Sequence, residues 1–100
     1  MEFTIEVIPC NNLAIFIKSR REELRLTQRM LGDKLGVTTQ FISNLERSVS
    51  PLPVDKILKL VVALGADLDM VLDLMVKDYA FNLKTSFKKL NTPEALYGPV

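Results

Sequence analysis

A mainly α-helical domain of four to five helices is predicted by three observations. Residues 28–47, QRMLGDKLGVTTQFISNLER, place Leu31, Leu35, Val37, Ile42 and Leu45 where two crossed helices need apolar contacts. Gly32 falls where those helices approach most closely, and Gly36 falls at the turn between them. A further run, VDKILKLVVAL, is bracketed by Pro53 and Gly65, residues that suit the first turn and the stop of another helix. Short dimer-forming strands are the one β contribution the sequence allows.

The elements follow in order. Residues 2–8, EFTIEVI, alternate Phe3, Ile5 and Val7 with Glu2, Thr4 and Glu6, the pattern of a strand with one buried face. Residues 1–10 are therefore expected to form an N-terminal strand or arm, stopped at Pro9. An unpaired edge invites aggregation, so pairing with residues 66–76 or with a second subunit is expected. Asn11 or Asn12 caps a first helix that runs to about Leu24, with Leu13, Phe16, Ile17, Arg21 and Leu24 on one stripe. Thr27 caps the second helix, and Gly36 ends it in the left-handed conformation. Thr38 caps the third. Ser48 to Pro53 form a loop, because two prolines in three residues stop a helix.

Residues 66–76 satisfy two periods at once. Ala66, Leu68, Met70, Leu72, Leu74 and Val76 alternate as in a strand, yet Leu68, Val71, Leu72 and Met75 fit a helical stripe. Three aspartates and few β-branched residues weaken the strand reading without removing it. Residues 78–90 are weakly amphipathic and 91–100 read as a tail. The expected organisation is an arm at 1–10, a helical domain at 11–77 and a C-terminal extension at 78–100 for dimer or partner contacts.

The totals set bounds on function. One hundred residues make one domain, and its small size would gain from dimerisation. The net charge is +1, so bulk charge does not announce a polyanionic partner. The distribution does: Lys18, Arg20, Arg21, Arg25, Arg29, Lys34 and Arg47 lie in or beside the first three helices, while Asp67, Asp69, Asp73 and Asp78 come later. The lone Cys10 permits no internal disulfide. The absence of histidine removes most zinc sites and the histidine-dependent nucleophile pairs, so neither an enzyme nor a cofactor is expected. With no secretory pattern and no apolar run of about 18 residues, a soluble cytoplasmic protein is expected.

Residues 28–47 are a helix-turn-helix pattern, whose second helix presents Thr39, Gln40, Ser43 and Asn44 outward. Amide side chains offer the paired donor and acceptor that adenine requires in the major groove of double-stranded DNA, and Thr39 suits a thymine methyl. Ser43 shares the face, where base contact and simple solvation are both open. Phe41 either packs on thymine methyls or covers the second helix. Free N–H groups at a helix N-terminus favour phosphate, which points to Thr27, Gln28 and Arg29 on the second helix and Thr38 on the third. Thr27 and Thr38 also serve as ordinary caps. Two or three of Arg20, Arg25, Arg29, Lys34 and Arg47 are expected to grip phosphate, the rest being solvated.

The residues Arg21, Leu26-Thr27-Gln28, Leu31, Leu35-Gly36-Val37, Ile42-Ser43, Leu45-Glu46-Arg47 and Ala63-Leu64-Gly65 resemble, without a gap, the phage-repressor-like (Xre/Cro-type) helix-turn-helix family over residues 13–72. The resemblance implies a lambda-repressor-like fold. It implies that Gln28 touches a phosphate and that Thr39, Gln40 and Asn44 face the major groove. It also implies that Arg21 and Glu46 form a buried ion pair. Two positions depart from the family. Ser48 stands where glycine is usual, at a turn of positive φ. Gly32 stands where alanine is usual, and mid-helix glycine costs about 1 kcal/mol, which tight packing would explain.

A narrower resemblance is to HipB-like antitoxins, in which a strand after the fourth helix pairs across the dimer axis; ADLDMVLDLMV fits that pattern. The functions implied are a homodimeric regulator, an autorepressor on a near-palindromic operator, or an antitoxin that also binds a toxin protein. Asp67-Leu68-Asp69-Met70-Val71-Leu72 matches the nucleophile motif of haloacid-dehalogenase-type phosphatases, but that motif needs a buried parallel strand in a larger fold. Acids on the outer face of a helix or strand are the plainer reading. The same aspartates lack the spacing and glycine of a calcium loop.

Overall fold

The computed structural model describes residues 11–89 and contains five α-helices: α1 (Asn12–Glu23), α2 (Gln28–Leu35), α3 (Thr39–Glu46), α4 (Ile57–Leu64) and α5 (Leu68–Lys89). A short 3-10 turn, Val54–Lys56, leads into α4 from Pro53. Among the described residues there is no strand. The strand or arm expected at 1–10 lies outside the described residues.

Local chemistry sets most of the boundaries. The Thr27 hydroxyl accepts from the Met30 N–H at 3.0 Å, and the Thr38 hydroxyl accepts from the Phe41 N–H at 3.0 Å. Both are N-caps at the expected positions. The N–H of Thr27 in turn donates to the Met30 sulfur at 3.5 Å, closing a reciprocal cap in which sulfur replaces the usual carboxylate. Gly36 and Gly65 end α2 and α4 with φ of 73° and 58°. Two further helix ends use the left-handed region without glycine. Arg25 follows α1 and Ser48 follows α3, each with φ 59°. In both cases the next N–H reaches back across the end: Leu26 to the Arg21 carbonyl at 3.0 Å, and Val49 to the Asn44 carbonyl at 2.8 Å. Ser48 thus keeps the turn geometry that glycine usually supplies.

The ambiguous segment 66–76 is helical from Leu68 onward. Asp67 caps α5, its carboxylate accepting from the Met70 N–H at 3.1 Å, and Val71 is completely buried in the core. Packing selects the helical period, because Val71, Leu74 and Met75 turn inward while Leu68, Leu72 and Val76 remain exposed. This placement also makes Asp67 a helix cap rather than a nucleophile. The helix runs without interruption past the boundary expected between 77 and 78.

The core is formed by Ile17 of α1, Leu31 and Leu35 of α2, Ile42 of α3, Leu60 and Leu64 of α4, and Val71 of α5, all fully buried. Leu24, expected on the buried stripe of α1, lies beyond the helix end and is exposed. Gly32 has the close neighbour its position implied: a Cβ there would lie 2.9 Å from the Val37 carbonyl oxygen.

Two long-range contacts tie the outer helices to this core. The cap of α1 is not supplied by Asn11, whose side chain makes no capping bond. Asp78 of α5 supplies it instead, accepting from the Asn12 and Leu13 N–H groups at 3.0 Å each. At the other end, Arg20 Nε donates to the Leu64 carbonyl at 2.8 Å and so caps the C-terminus of α4 with a cation. Replacing Asp78 with alanine leaves two first-turn donors of α1 without their carboxylate. The expected loss is about 0.5–2 kcal/mol. Urea denaturation checks it, with a midpoint equal to that of wild type counting against the cap.

Candidate nucleic-acid interface

A buried ion pair joins α1 to α3 and, through Gln28, holds α2 beside them. Arg21 Nε and Nη2 donate to the two Glu46 carboxylate oxygens at 2.6 and 3.0 Å, a bidentate fork. Nη1 of Arg21 donates to the Leu26 carbonyl at 2.7 Å. The Glu46 side chain is only 2% exposed. The Glu46 hydrogen bond raises the Arg21 pKa against the opposing effect of burial, with the Glu46 and Glu22 charges adding to it, so the guanidinium stays charged. Gln28 completes the cluster, its amide nitrogen donating to Glu46 Oε1 at 3.0 Å. One carboxylate therefore fixes α1, α2 and α3 together and sets the N-terminus of α2 beside the C-terminal end of α3.

On this frame α3 turns a polar arc outward. Thr38, Thr39, Gln40 and Arg47 are exposed, and Ser43 and Asn44 are half-buried. Ile42 and Leu45 form the opposite, buried side. Phe41 is half-buried and packs against the core. Gln40, Asn44 and Arg47 form a ladder: Gln40 Nε2 and Arg47 Nη2 both donate to Asn44 Oδ1, at 3.0 and 2.8 Å. The ladder aligns two amides and a guanidinium along one edge of the helix, with the Asn44 amide nitrogen and the Gln40 amide oxygen outside these two bonds.

The phosphate candidates divide into two groups. Thr27, Arg29 and Thr38 are exposed at helix starts. The first-turn N–H groups of Gln28 and Arg29 take no bond within α2. Gln28 is the exception in role, since its amide nitrogen already serves the Glu46 cluster. Of the wider set of cations, Arg20 is committed to the α4 carbonyl and to Glu23 at 3.2 Å. Arg25 and Lys34 are exposed. The long-range work of Arg20 and of Asp78 carries no sequence signal, because each partner lies more than forty positions away. The Asp67 cap did carry one: an aspartate directly before a helical stripe.

The comparisons with known proteins agree with this fold. The family model described as "Helix-turn-helix" (HTH_3) matches residues 17–71. The chain belongs to this family. Like it, the P22 c2 repressor, solved in complex with synthetic operator 9T, is similar to this helix-turn-helix protein. The identity is 32% and the TM-score 0.56, over 59% of this chain and 89% of that one. The clp gene regulator ClgR from Corynebacterium glutamicum shares the fold, with a TM-score of 0.60 and 22% identity over 94% of this chain and 99% of that one. A search of curated proteins finds no match. The family and the likeness to the P22 c2 repressor support a DNA-binding transcriptional regulator. No helix among the described residues is long and apolar enough to cross a membrane.

The buried pair makes a specific demand on stability. Glu46→Ala leaves the Arg21 charge buried without its partner and is expected to cost about 3–5 kcal/mol. Arg21→Met combined with Glu46→Leu should lose less than the sum of the single changes, because no charge is stranded. A double-mutant cycle by chemical denaturation measures both, and simple additivity would show that the pair is not coupled.

Proposed function

We propose that this protein is a sequence-specific regulator that binds double-stranded DNA as a homodimer, with α3 of each subunit in the major groove of a near-palindromic operator. The observation that carries this reading is the outward arc of α3. It bears Thr39, Gln40, Ser43, Asn44 and Arg47, while the apolar side chains of the helix turn inward. Gln40 and Asn44 would read adenine edges, with Thr39 and Ser43 as neighbours on the same surface. Thr27, Gln28, Arg29, Thr38 and Arg47 would hold phosphate around them, positioning the helix without reading sequence. Gln28 would do so through its backbone N–H while its amide stays on Glu46. Binding at the protein's own promoter would repress it by excluding polymerase.

The antitoxin reading takes second place. Its mark was a strand at 66–76, and that segment is α-helix from Leu68 onward. Co-expression with the adjacent reading frame and pull-down of a bound toxin protein would restore it.

Selection of bound duplexes from a random pool tests the regulator reading. The expected product is a two-fold symmetric site with half-site centres one helical turn apart, about 10–10.5 base pairs. Gln40→Ala and Asn44→Ala should each cost about 1–3 kcal/mol of discrimination at the selected site. Their combined effect should differ from the sum, because the Asn44 oxygen holds the Gln40 amide. A double variant that binds the site as tightly as wild type would refute the base-reading role.

Arg29→Ala should weaken binding to all sequences alike and reduce the slope of log affinity against log salt by about 1. Fluorescence anisotropy titrations at several salt concentrations measure this; an unchanged slope would remove Arg29 from the phosphate set.

A further inference from the structure

Arg47 stands at the end of the outward arc of α3 and is the one residue there whose side chain can only donate. Thr39 and Ser43 donate or accept, and the amides of Gln40 and Asn44 do both. The backbone beneath this end of the arc is pinned. The Arg47 N–H donates to the Ser43 carbonyl at 3.1 Å, and the Asn44 carbonyl accepts from the Val49 and Ser50 N–H groups at 2.8 and 3.3 Å. Among the described residues no carboxylate pairs with Arg47. Its Nη2 reaches back one turn and donates to Asn44 at 2.8 Å.

This contact has a polarity. A guanidinium has no acceptor, so the Asn44 atom that meets it is the oxygen, and the amide nitrogen faces the other way. The same oxygen accepts from Gln40 Nε2 at 3.0 Å, so the Gln40 nitrogen is the atom turned to Asn44. One obligate donor therefore orients both amides. The consequences for the two differ. The Asn44 oxygen has both lone pairs engaged, and the amide offers the surface only N–H groups. Gln40 spends one N–H on Asn44 and keeps the other, together with its oxygen. Gln40 thus retains the adjacent donor and acceptor that match N7 and N6 of adenine, and Asn44 does not.

We propose that Arg47 is a specificity-determining residue: by holding the Asn44 oxygen it makes Asn44 a pure donor that selects guanine, while Gln40 reads adenine. Guanine presents its N7 and O6 acceptors side by side in the major groove. Adenine and cytosine each set an amino donor there, which opposes an N–H group of Asn44. Thymine offers the single acceptor O4 and ranks between them. The inference rests on the regulator reading above and sharpens it, giving Asn44 guanine in place of the adenine that a free amide would suit. It also gives Arg47 a part in sequence reading beyond its contact with phosphate.

The test is selection of bound duplexes by the full-length wild type and by Arg47→Ala, Arg47→Lys and Asn44→Asp. The base pair read by Asn44 is the one at which Asn44→Ala loses preference. There the wild type should favour guanine over adenine by roughly 10-fold. Arg47→Ala frees the Asn44 amide to turn, and the preference should fall to about 2-fold or less. Arg47→Lys keeps an obligate donor and should retain most of it. Asn44→Asp keeps the oxygen that Gln40 and Arg47 hold but turns an acceptor outward. It should invert the choice to cytosine, whose N4 amino group donates. All these positions are exposed or half-buried, so the helical circular dichroism should match that of wild type.

A wild type that selects adenine at both positions overturns the proposal. So does an Arg47→Ala protein that binds every sequence more weakly, with a lower salt slope and an unchanged preference for guanine, because a phosphate contact alone behaves that way. Guanine selected by Asn44→Asp would overturn it as well. Each of these results leaves the regulator reading standing. A wild type that selects no duplex refutes that reading and the inference with it.

Discussion

The bidentate pair between Arg21 and Glu46 orients the three helices that carry the candidate site. It joins α1 to α3 directly and recruits Gln28, so that α2 is held by the same carboxylate. The two helices of the motif are eight residues each, too short to persist alone in water. Their relative position must come from tertiary contacts. Apolar packing of Leu31, Leu35, Ile42 and Leu45 supplies the attraction, but it is not directional. The fork supplies direction, because guanidinium and carboxylate accept few relative orientations.

That division of labour explains why the outer arc of α3 is free to be polar. The buried side chains of α3, Ile42 and Leu45, lie on the opposite side, and the cap at Thr38 and the turn at Ser48 hold its two ends. The Gln40–Asn44–Arg47 ladder then orders the outward groups before any ligand arrives. Preordered donors and acceptors lose less conformational freedom on binding than solvated ones. The same logic applies at the N-terminus of α2, where the Thr27–Met30 cap uses two N–H groups and leaves those of Gln28 and Arg29 outside the helix ladder.

The long helix α5 plays two parts along its length. Its inward side closes the domain through Val71 and caps α1 through Asp78, a contact that links the last helix to the first. Its outward side carries apolar side chains, among them Val76, Tyr79 and Phe87, that are exposed among the described residues. A helix with one side in the core and another side apolar and bare joins the stability of the domain to that of whatever assembly it enters.

Features governed by neighbours a few residues apart could be read from the chain alone. The caps at Thr27 and Thr38, the left-handed stops at Gly36 and Gly65, and the inward stripe of the α2–α3 motif were all legible, because each depends on local geometry. The Arg21–Glu46 pair was legible only through resemblance to a family. Tertiary structure alone decided the rest. It resolved residues 66–76 as helix from Leu68 onward, since both periods were present in the sequence and burial of Val71 with the Asp67 cap separates them. It set Asp78 over the first turn of α1 and Arg20 over the last carbonyl of α4, contacts made across the fold. A residue's local pattern states which conformations it tolerates, whereas its distant partners exist only once the chain has closed on itself.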